Sequence, residues 1–262
     1  MTVPFFLVDA FTNGPFTGNP AGVCLCENEP SEAWMSSVGS EVNHAETAFV
    51  WPNRSGHGLR WFTPTSEVDL CGHATLAAAH AMYSTGRVPP EQRIEFTTKS
   101  GVLTCSVDDG LIQMDFPAET PYEDKSLSLG SRLGLETTWE GANRMDLICV
   151  LLNEESVVEF VPNMDLVAKL GHRGLAITAK SSDPVVDYVC RFFAPQVGVP
   201  EDSVTGSLHC ALAPYWRSVL GKDQLKGLQL SKRTGLVHST VYGDRVFLKG
   251  GARTVITGTL EA

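Results

Sequence analysis

At 262 residues the chain can bury a substantial core, as one large domain or two small ones. Its 43% hydrophobic and 19% charged content exclude a disordered chain, and no apolar run approaches the about 20 residues that a membrane-spanning helix needs. A formal charge of −10 excludes nucleic acid as the default partner, but a small anion held by local N–H groups is untouched by net charge.

In chain order, residues 5–11 read as a strand with no basic leader or cleavage pattern, which makes the cytoplasm the expected compartment. Residues 13–20 follow, a turn-rich NGPFTGNP stretch whose two glycines and two prolines impose a special backbone path. It either wraps a ligand or turns a corner. Residues 21–25 read as a strand, and 31–42 as a helix with Ser31 as N-cap and Glu32 in its first turn. The seven cysteines are scattered and odd in number, which fits reduced thiols. Cys24 and Cys26 share one face of a strand as packing residues. Residues 45–51 form a further strand with Glu46 at its start among small and apolar neighbours. A carboxylate there pairs, reaches solvent at the strand end, or has a raised pKa.

Residues 60–63, 93–98, 101–107 and 111–116 continue as strands, with Asp108-Asp109-Gly110 as a hairpin turn. The polar stretch 117–126 reads as a loop, and the lobe boundary is placed there: residues 1–117, to which the C-terminal end may return, and residues 118–262. In the second lobe, strands are expected at 144–152, 157–160, 175–178, 185–193, 235–241, 245–248 and 254–260, with a short helix near 165–170.

The chain repeats itself. Residues 67–81, EVDLCGHATLAAAHA, run from an acidic lead-in through Cys71-Gly72-His73 into strong helix formers, and residues 201–213, EDSVTGSLHCALA, copy them 134 positions on. Glu67 matches Glu201, Gly72 matches Gly206, and His73 matches Ser207. Upstream, Arg60-Trp61-Phe62 echoes Arg191-Phe192-Phe193, with three extra residues before the second helix. Two similar lobes are therefore expected, each opening its central helix at a glycine. The first N–H groups of a helix lack internal partners and suit a carboxylate or phosphate, so two such ends facing one cleft would make an anion site. His73 and Ser207 can each hydrogen-bond a ligand, and His73 can move a proton near neutral pH; capping or packing is the plainer reading of His73. Asp202 lies where it would bind an amine or cap the second helix. The other six histidines have no such context. Cys71 stands opposite Thr205 in the repeat, so a symmetrical two-thiol racemase is disfavoured and a carboxylate or histidine is the expected proton carrier.

The phrases FTGNP (16–20), AETAF (45–49), DLCGHATL (69–76) and EDSVTGS (201–207), with Asp244-Arg245-Val246 and the closing Gly250 and Gly258, resemble the phenazine-biosynthesis PhzF family over nearly the whole chain. The resemblance implies an α+β fold of the diaminopimelate-epimerase type, with two pseudo-symmetric lobes, each a β-barrel-like sheet around a central α-helix. It implies an isomerase that moves a proton between carbons of a dihydro-hydroxyanthranilate without cofactor or metal, and a homodimer. Glu46 would then be the general acid/base, with His73 and Asp202 beside it in catalysis. Asn19, Cys71, Gly72, Gly206 and Ser207 would hold the substrate. Ala45 and Ser203 stand where the family commonly has serine and proline. The readings open at this stage are a cofactor-independent isomerase of a small carboxylate, an amino-acid racemase using Cys71, and a non-catalytic binding protein of the same fold.

Overall fold

The computed structural model describes residues 2–261. The chain divides into two compact units: residues up to Asp115 together with those from Lys249 onward, and Phe116–Leu248 between them.

The first unit contains β1 (Thr2–Ala10), β2 (Asn19–Leu25), α1 (Glu32–Val42), β3 (Glu46–Asn53), β4 (Gly56–Phe62), β5 (Glu67–Val68), α2 (Gly72–Ser84), β6 (Ile94–Thr98), β7 (Gly101–Asp108) and β8 (Leu111–Pro117). β8 runs two residues past the end of the unit. Ser31 caps α1, accepting from the Trp34 N–H at 3.3 Å. β2 and β3 are parallel, as a crossover through α1 requires, with Ala21 opposite Glu46. β3 and β4 form an antiparallel pair, and the β7–β8 hairpin turns through Asp109 and Gly110 at φ of 52° and 73°. β1 lies between β2 and the C-terminal strand Ala252–Glu261, antiparallel to both.

α2 packs against β1, β2, β3 and the C-terminal strand. Its residues His73 to Ala79, Ala81 and Met82 are all buried, so the Ala-rich run has no solvent face, as befits a helix enclosed by strands. Small side chains let those strands approach. α1 covers the other sheet face, where Met35, Val38, Phe49 and Phe62 pack with Cys24 and Cys26.

The second unit contains β9 (Tyr122–Glu123), α3 (Leu129–Leu133), β10 (Thr137–Ala142), β11 (Asp146–Leu151), α4 (Glu154–Glu159), α5 (Met164–Ala168), β12 (Gly174–Lys180), β13 (Tyr188–Phe193), α6 (Gly206–Leu220), β14 (Gln224–Gln229), β15 (Gly235–Tyr242) and β16 (Arg245–Gly250). The order of the first unit recurs: β11 and β12 are a parallel pair joined through helices, β12 and β13 are antiparallel, and a central helix follows. α6 is buried along Leu208–Ala213 and packs against β14 and β15. Pro214 removes the N–H that would bond the Cys210 carbonyl, and the Glu119 backbone N–H takes that carbonyl instead, at 3.1 Å. α3, α4 and α5 cover the outer face through Leu129, Val157 and Val167.

The α+β architecture, with one long helix in each repeat, is the expected one. Residues 157–160 are a correction: they belong to the end of α4 and the residue after it, where a strand was expected. The Asn153 side chain accepts from the Ser156 N–H at 2.9 Å and two glutamates fill the first turn, so capping overrides the β-preference of Val157 and Val158. α3, β10 and β14 had no counterpart in the sequence reading, and β9 lies in the stretch 117–126 read there as a loop. Glu140 explains the first two together, because its carboxylate accepts from the Leu129 and Gly130 N–H groups and so joins β10 to α3.

The Arg-Glu echo has a shared physical basis. Arg60 Nε donates to Glu67 at 2.6 Å in the first unit, and Arg191 Nε donates to Glu201 at 2.8 Å in the second. Each guanidinium also lies over the phenylalanine two residues on, Phe62 or Phe193.

Candidate active site

In the first unit, five sequence-predicted residues converge at the start of α2, which Gly72 opens. Glu46 opens β3, Asn19 opens β2, Cys71 is the residue before the helix, and His73 lies in its first turn. Residues 12–18 deliver Asn19: Thr17 Oγ1 bonds with Thr12, Asn13 and Gly14, and Gly18 turns at φ +80°. A Cβ on Gly18 would lie 2.3 Å from the Ala10 carbonyl oxygen, so only glycine fits this turn. The loop thus turns a corner and in doing so aims Asn19, whose Nδ2 is 3.3 Å from His73 Nδ1.

His73 Nε2 is 3.1 Å from Glu46 Oε2, and its Nδ1 is 3.6 Å from Cys71 Sγ. An ionised carboxylate only accepts, so Glu46 keeps a proton on Nε2 and leaves Nδ1 to Asn19 and Cys71. The side chains of His73 and Glu46 are 7% and 19% exposed, buried enough for the pair to act at low dielectric and open enough for Glu46 to be reached.

Burial opposes the charge on Glu46, but the charge of the facing His73 and the polar hydrogens of His73 and Cys71 beside it outweigh it, holding its carboxyl below the usual range. Burial likewise opposes an imidazolium, and Cys71 and Glu46 more than offset it, so His73 titrates well above its ordinary value. Burial and the Glu46 charge push the Cys71 thiol up. The thiol therefore stays protonated near neutral pH, and the charge that lifts His73 there is that of Glu46. Carboxylate, imidazole and thiol donor atoms lie within 4.8 Å of one another, a set able to meet a soft divalent cation, but each is already engaged with another of the three.

In the second unit, Gly206 and Ser207 open α6 as expected. Cys71 and Thr205 are equivalent N-caps with extended backbone, and neither side chain makes a capping bond to its helix. Asp202 Oδ2 accepts from the Thr205 hydroxyl at 2.6 Å, which fixes the residue that precedes α6. The wholly buried Gln229 steadies this lead-in, accepting from the Thr205 N–H at 2.9 Å and donating to the Asp202 carbonyl at 2.8 Å. Ser207 Oγ accepts from Arg173 Nη2 at 3.0 Å.

Arg173, Asp146 and Gln229 were not singled out from the sequence. Strand register locates Arg173 within the repeat: Phe49 faces Arg60 and Ile177 faces Arg191, which places Arg173 in the second unit where Ala45 stands in the first.

The protein's relatives make it a small-molecule isomerase. The chain matches the model of the PhzC-PhzF family, phenazine biosynthesis-like protein, over residues 8–258, and it belongs to that family. It is 45% identical over 262 residues to an isomerase of Halalkalibacterium halodurans, BH0283, with 99% of each chain covered. A crystal structure of a PhzF-family protein of Enterococcus faecalis superposes with a TM-score of 0.94 at 36% identity, covering 100% of both chains. The fold alone extends to a hydroxyproline epimerase of Agrobacterium vitis, with a TM-score of 0.64 at 10% identity over 99% of this chain and 92% of that one. Among the described residues, no helix is long and apolar enough to cross a membrane.

Proposed function

We propose that the protein moves a proton between carbon positions of a small cyclic or amino-acid-like carboxylate, with Glu46 as general acid/base and no cofactor. The observation that carries this is the 3.1 Å contact between His73 Nε2 and Glu46 Oε2 in a nearly buried setting. It keeps Glu46 ionised, ready to accept, beside a group that can stabilise or replace its proton. Glu46 takes the proton from a carbon next to a carbonyl or imine, and the bonding electron pair shifts into that acceptor. Protonated Glu46 then returns the proton to another carbon. The N–H groups opening α2 at Gly72 supply donors for the carboxylate, and those opening α6 at Gly206, with the Ser207 hydroxyl, are donors of the same kind in the second unit. Asn19 and Cys71 hold His73, and Asp202 sets the lead-in to α6 and is proposed to act alongside Glu46 and His73. The reading includes a homodimer in the cytoplasm, which sedimentation of the purified protein and localisation of the native one would test.

Proton NMR in D2O is the direct experiment. The intact protein and Glu46→Gln are incubated with dihydro-hydroxyanthranilate and a panel of cyclic and acyclic amino acids. Deuterium entering a carbon position only with the intact protein is the expected outcome, with Glu46→Gln slower by about 100- to 10,000-fold. Undiminished exchange in Glu46→Gln would remove Glu46 from the mechanism.

One observation favours a second reading, an amino-acid racemase that uses a thiol: Cys71 Sγ lies 3.6 Å from His73 Nδ1, and in the neutral form of His73 that ring nitrogen takes its proton. Substrate-protectable inactivation by a thiol-alkylating reagent would support it over the Glu46 route.

A further inference from the structure

We propose that Arg173, held by Asp146 and acting with the Ser207 hydroxyl, is the residue that selects for a carboxylate on the substrate. This rests on the reading of the substrate as a carboxylate and names the group that recognises it.

The geometry starts from a buried charge. Asp146 is wholly buried, and both its oxygens are spent on Arg173: Nε donates to Oδ1 at 2.9 Å and Nη2 to Oδ2 at 2.5 Å. Such a two-pronged pair fixes the plane of the guanidinium. The ring of Phe192 lies 5.4 Å from the guanidinium carbon and limits it further. Replacing a buried ion pair by apolar side chains is often neutral or favourable, so stability alone gives no reason for this one. What the pair achieves is a fixed orientation of a cation whose side chain is still 32% exposed.

The spare hydrogen-bonding capacity of the group is all of one kind. Nε and Nη2 are engaged by Asp146 and Ser207, which leaves the N–H bonds of Nη1. Ser207 Oγ accepts from Arg173, so its own hydrogen is available to donate. A carboxylate would meet charge-assisted donors from both residues, whereas a carboxamide nitrogen or an amine would meet donors only. Because Asp146 already balances Arg173, the empty protein holds no lone cation here, and the ligand brings the charge that the remaining donors are set to receive.

Among the described residues of the first unit, the equivalent positions carry no such pair. The strand registers put Ala45 where Arg173 stands and Glu46 where Gly174 stands. The repeat has thus diverged in function, with acid/base groups in one unit and an anion-selecting group in the other.

The test is calorimetric binding of 2-aminobenzoate and cyclohexanecarboxylate against 2-aminobenzamide, none of which needs to be turned over. The intact protein should bind at least one of the acids and prefer it to the amide. The double variant Asp146→Asn/Arg173→Met removes both charges together and leaves no buried unpaired carboxylate; it should bind the acid at least about tenfold more weakly. Arg173→Lys keeps the charge but not the fork, and it should weaken acid binding about fivefold, which gives a second reading should the double variant fail to fold. Either folded variant binding the acid as tightly as the intact protein overturns the proposal. So does an intact protein that binds neither acid at millimolar concentration, or one that prefers the amide. Glu46→Gln separates the two readings: it should lose deuterium exchange and still discriminate acid from amide.

Discussion

His73 Nε2 stands 3.1 Å from Glu46 Oε2, so each partner's ionisation depends on the other. The carboxyl of Glu46 lies below its ordinary 4.5, and what the pair adds to stability is present above that value and lost as pH falls through the depressed one. His73 lies above its ordinary 6.5, so its contribution is full below 6.5 and is lost as pH rises through the raised value. Deuterium exchange against pH should therefore be bell-shaped, with an acid limb below 4.5 and an alkaline limb above 6.5. His73→Asn should move the acid limb upward, because Glu46 loses the partner that holds its carboxyl down. An acid limb that stays in place in that variant contradicts the coupling.

Cys71 gives a sharper division between the two chemical readings. With the thiol kept protonated by burial, Cys71→Ala should retain exchange within about tenfold, since Glu46 still carries the proton. A loss of about a thousandfold or more in that variant would transfer the reaction to the thiol route. Steady-state exchange with folding checked by circular dichroism decides it.

Gly18→Ala tests how the loop serves the site. The new Cβ meets the Ala10 carbonyl oxygen, and the backbone sits at φ +80°, so the turn must rearrange at a cost of about 1–3 kcal/mol. Asn19 is the next residue and holds His73 Nδ1. Both the melting temperature and the exchange rate should fall, and an unchanged rate would show that Asn19 does not need this turn.

Arg191→Met should destabilise the second unit by about 3 kcal/mol, measured by urea unfolding. Its Nη1 donates to the carbonyls of Val157 and Phe160 at 3.2 and 2.7 Å, closing the C-terminal end of α4, while Nε holds Glu201. Arg60→Met should do less, because Lys99 remains beside Glu67 at 2.5 Å to balance it. Equal losses for the two variants would count against the carbonyl contacts as the source of the difference.

The sequence showed the architecture through its repeat, because matched glycines, helix formers and Arg-Glu pairs are local and keep their spacing. Glu46 and His73 stood out as candidates, the first by its apolar company and the second by its place beside a helix-opening glycine. Asp146 and Arg173 were not. They are 27 residues apart, meet only because β11 and β12 are parallel neighbours, and lie where the repeat register has drifted. α4 was misread because two adjacent valines signal a strand to any reading that does not weigh the Asn153 cap. The pKa of Glu46 went against the simplest expectation for a buried carboxyl, since its partner arrives from a segment 27 positions on.

The pairing of β1 with Ala252–Glu261, in which Thr2 lies opposite Glu261, also orders the assembly of the molecule in time. During synthesis on the ribosome, β1 emerges first but has no partner on one side until residue 261 has been made. Closing so long a loop carries an entropic penalty that a nascent chain cannot yet offset. The second unit is one uninterrupted segment and has no such dependence. The unit that carries Glu46, Cys71 and His73 therefore closes only once its C-terminal strand is available, whereas the second unit needs nothing from outside its own segment. A chain stopped before residue 249 would carry the whole of Glu46, Cys71 and His73 and still lack the strand that completes the unit around them.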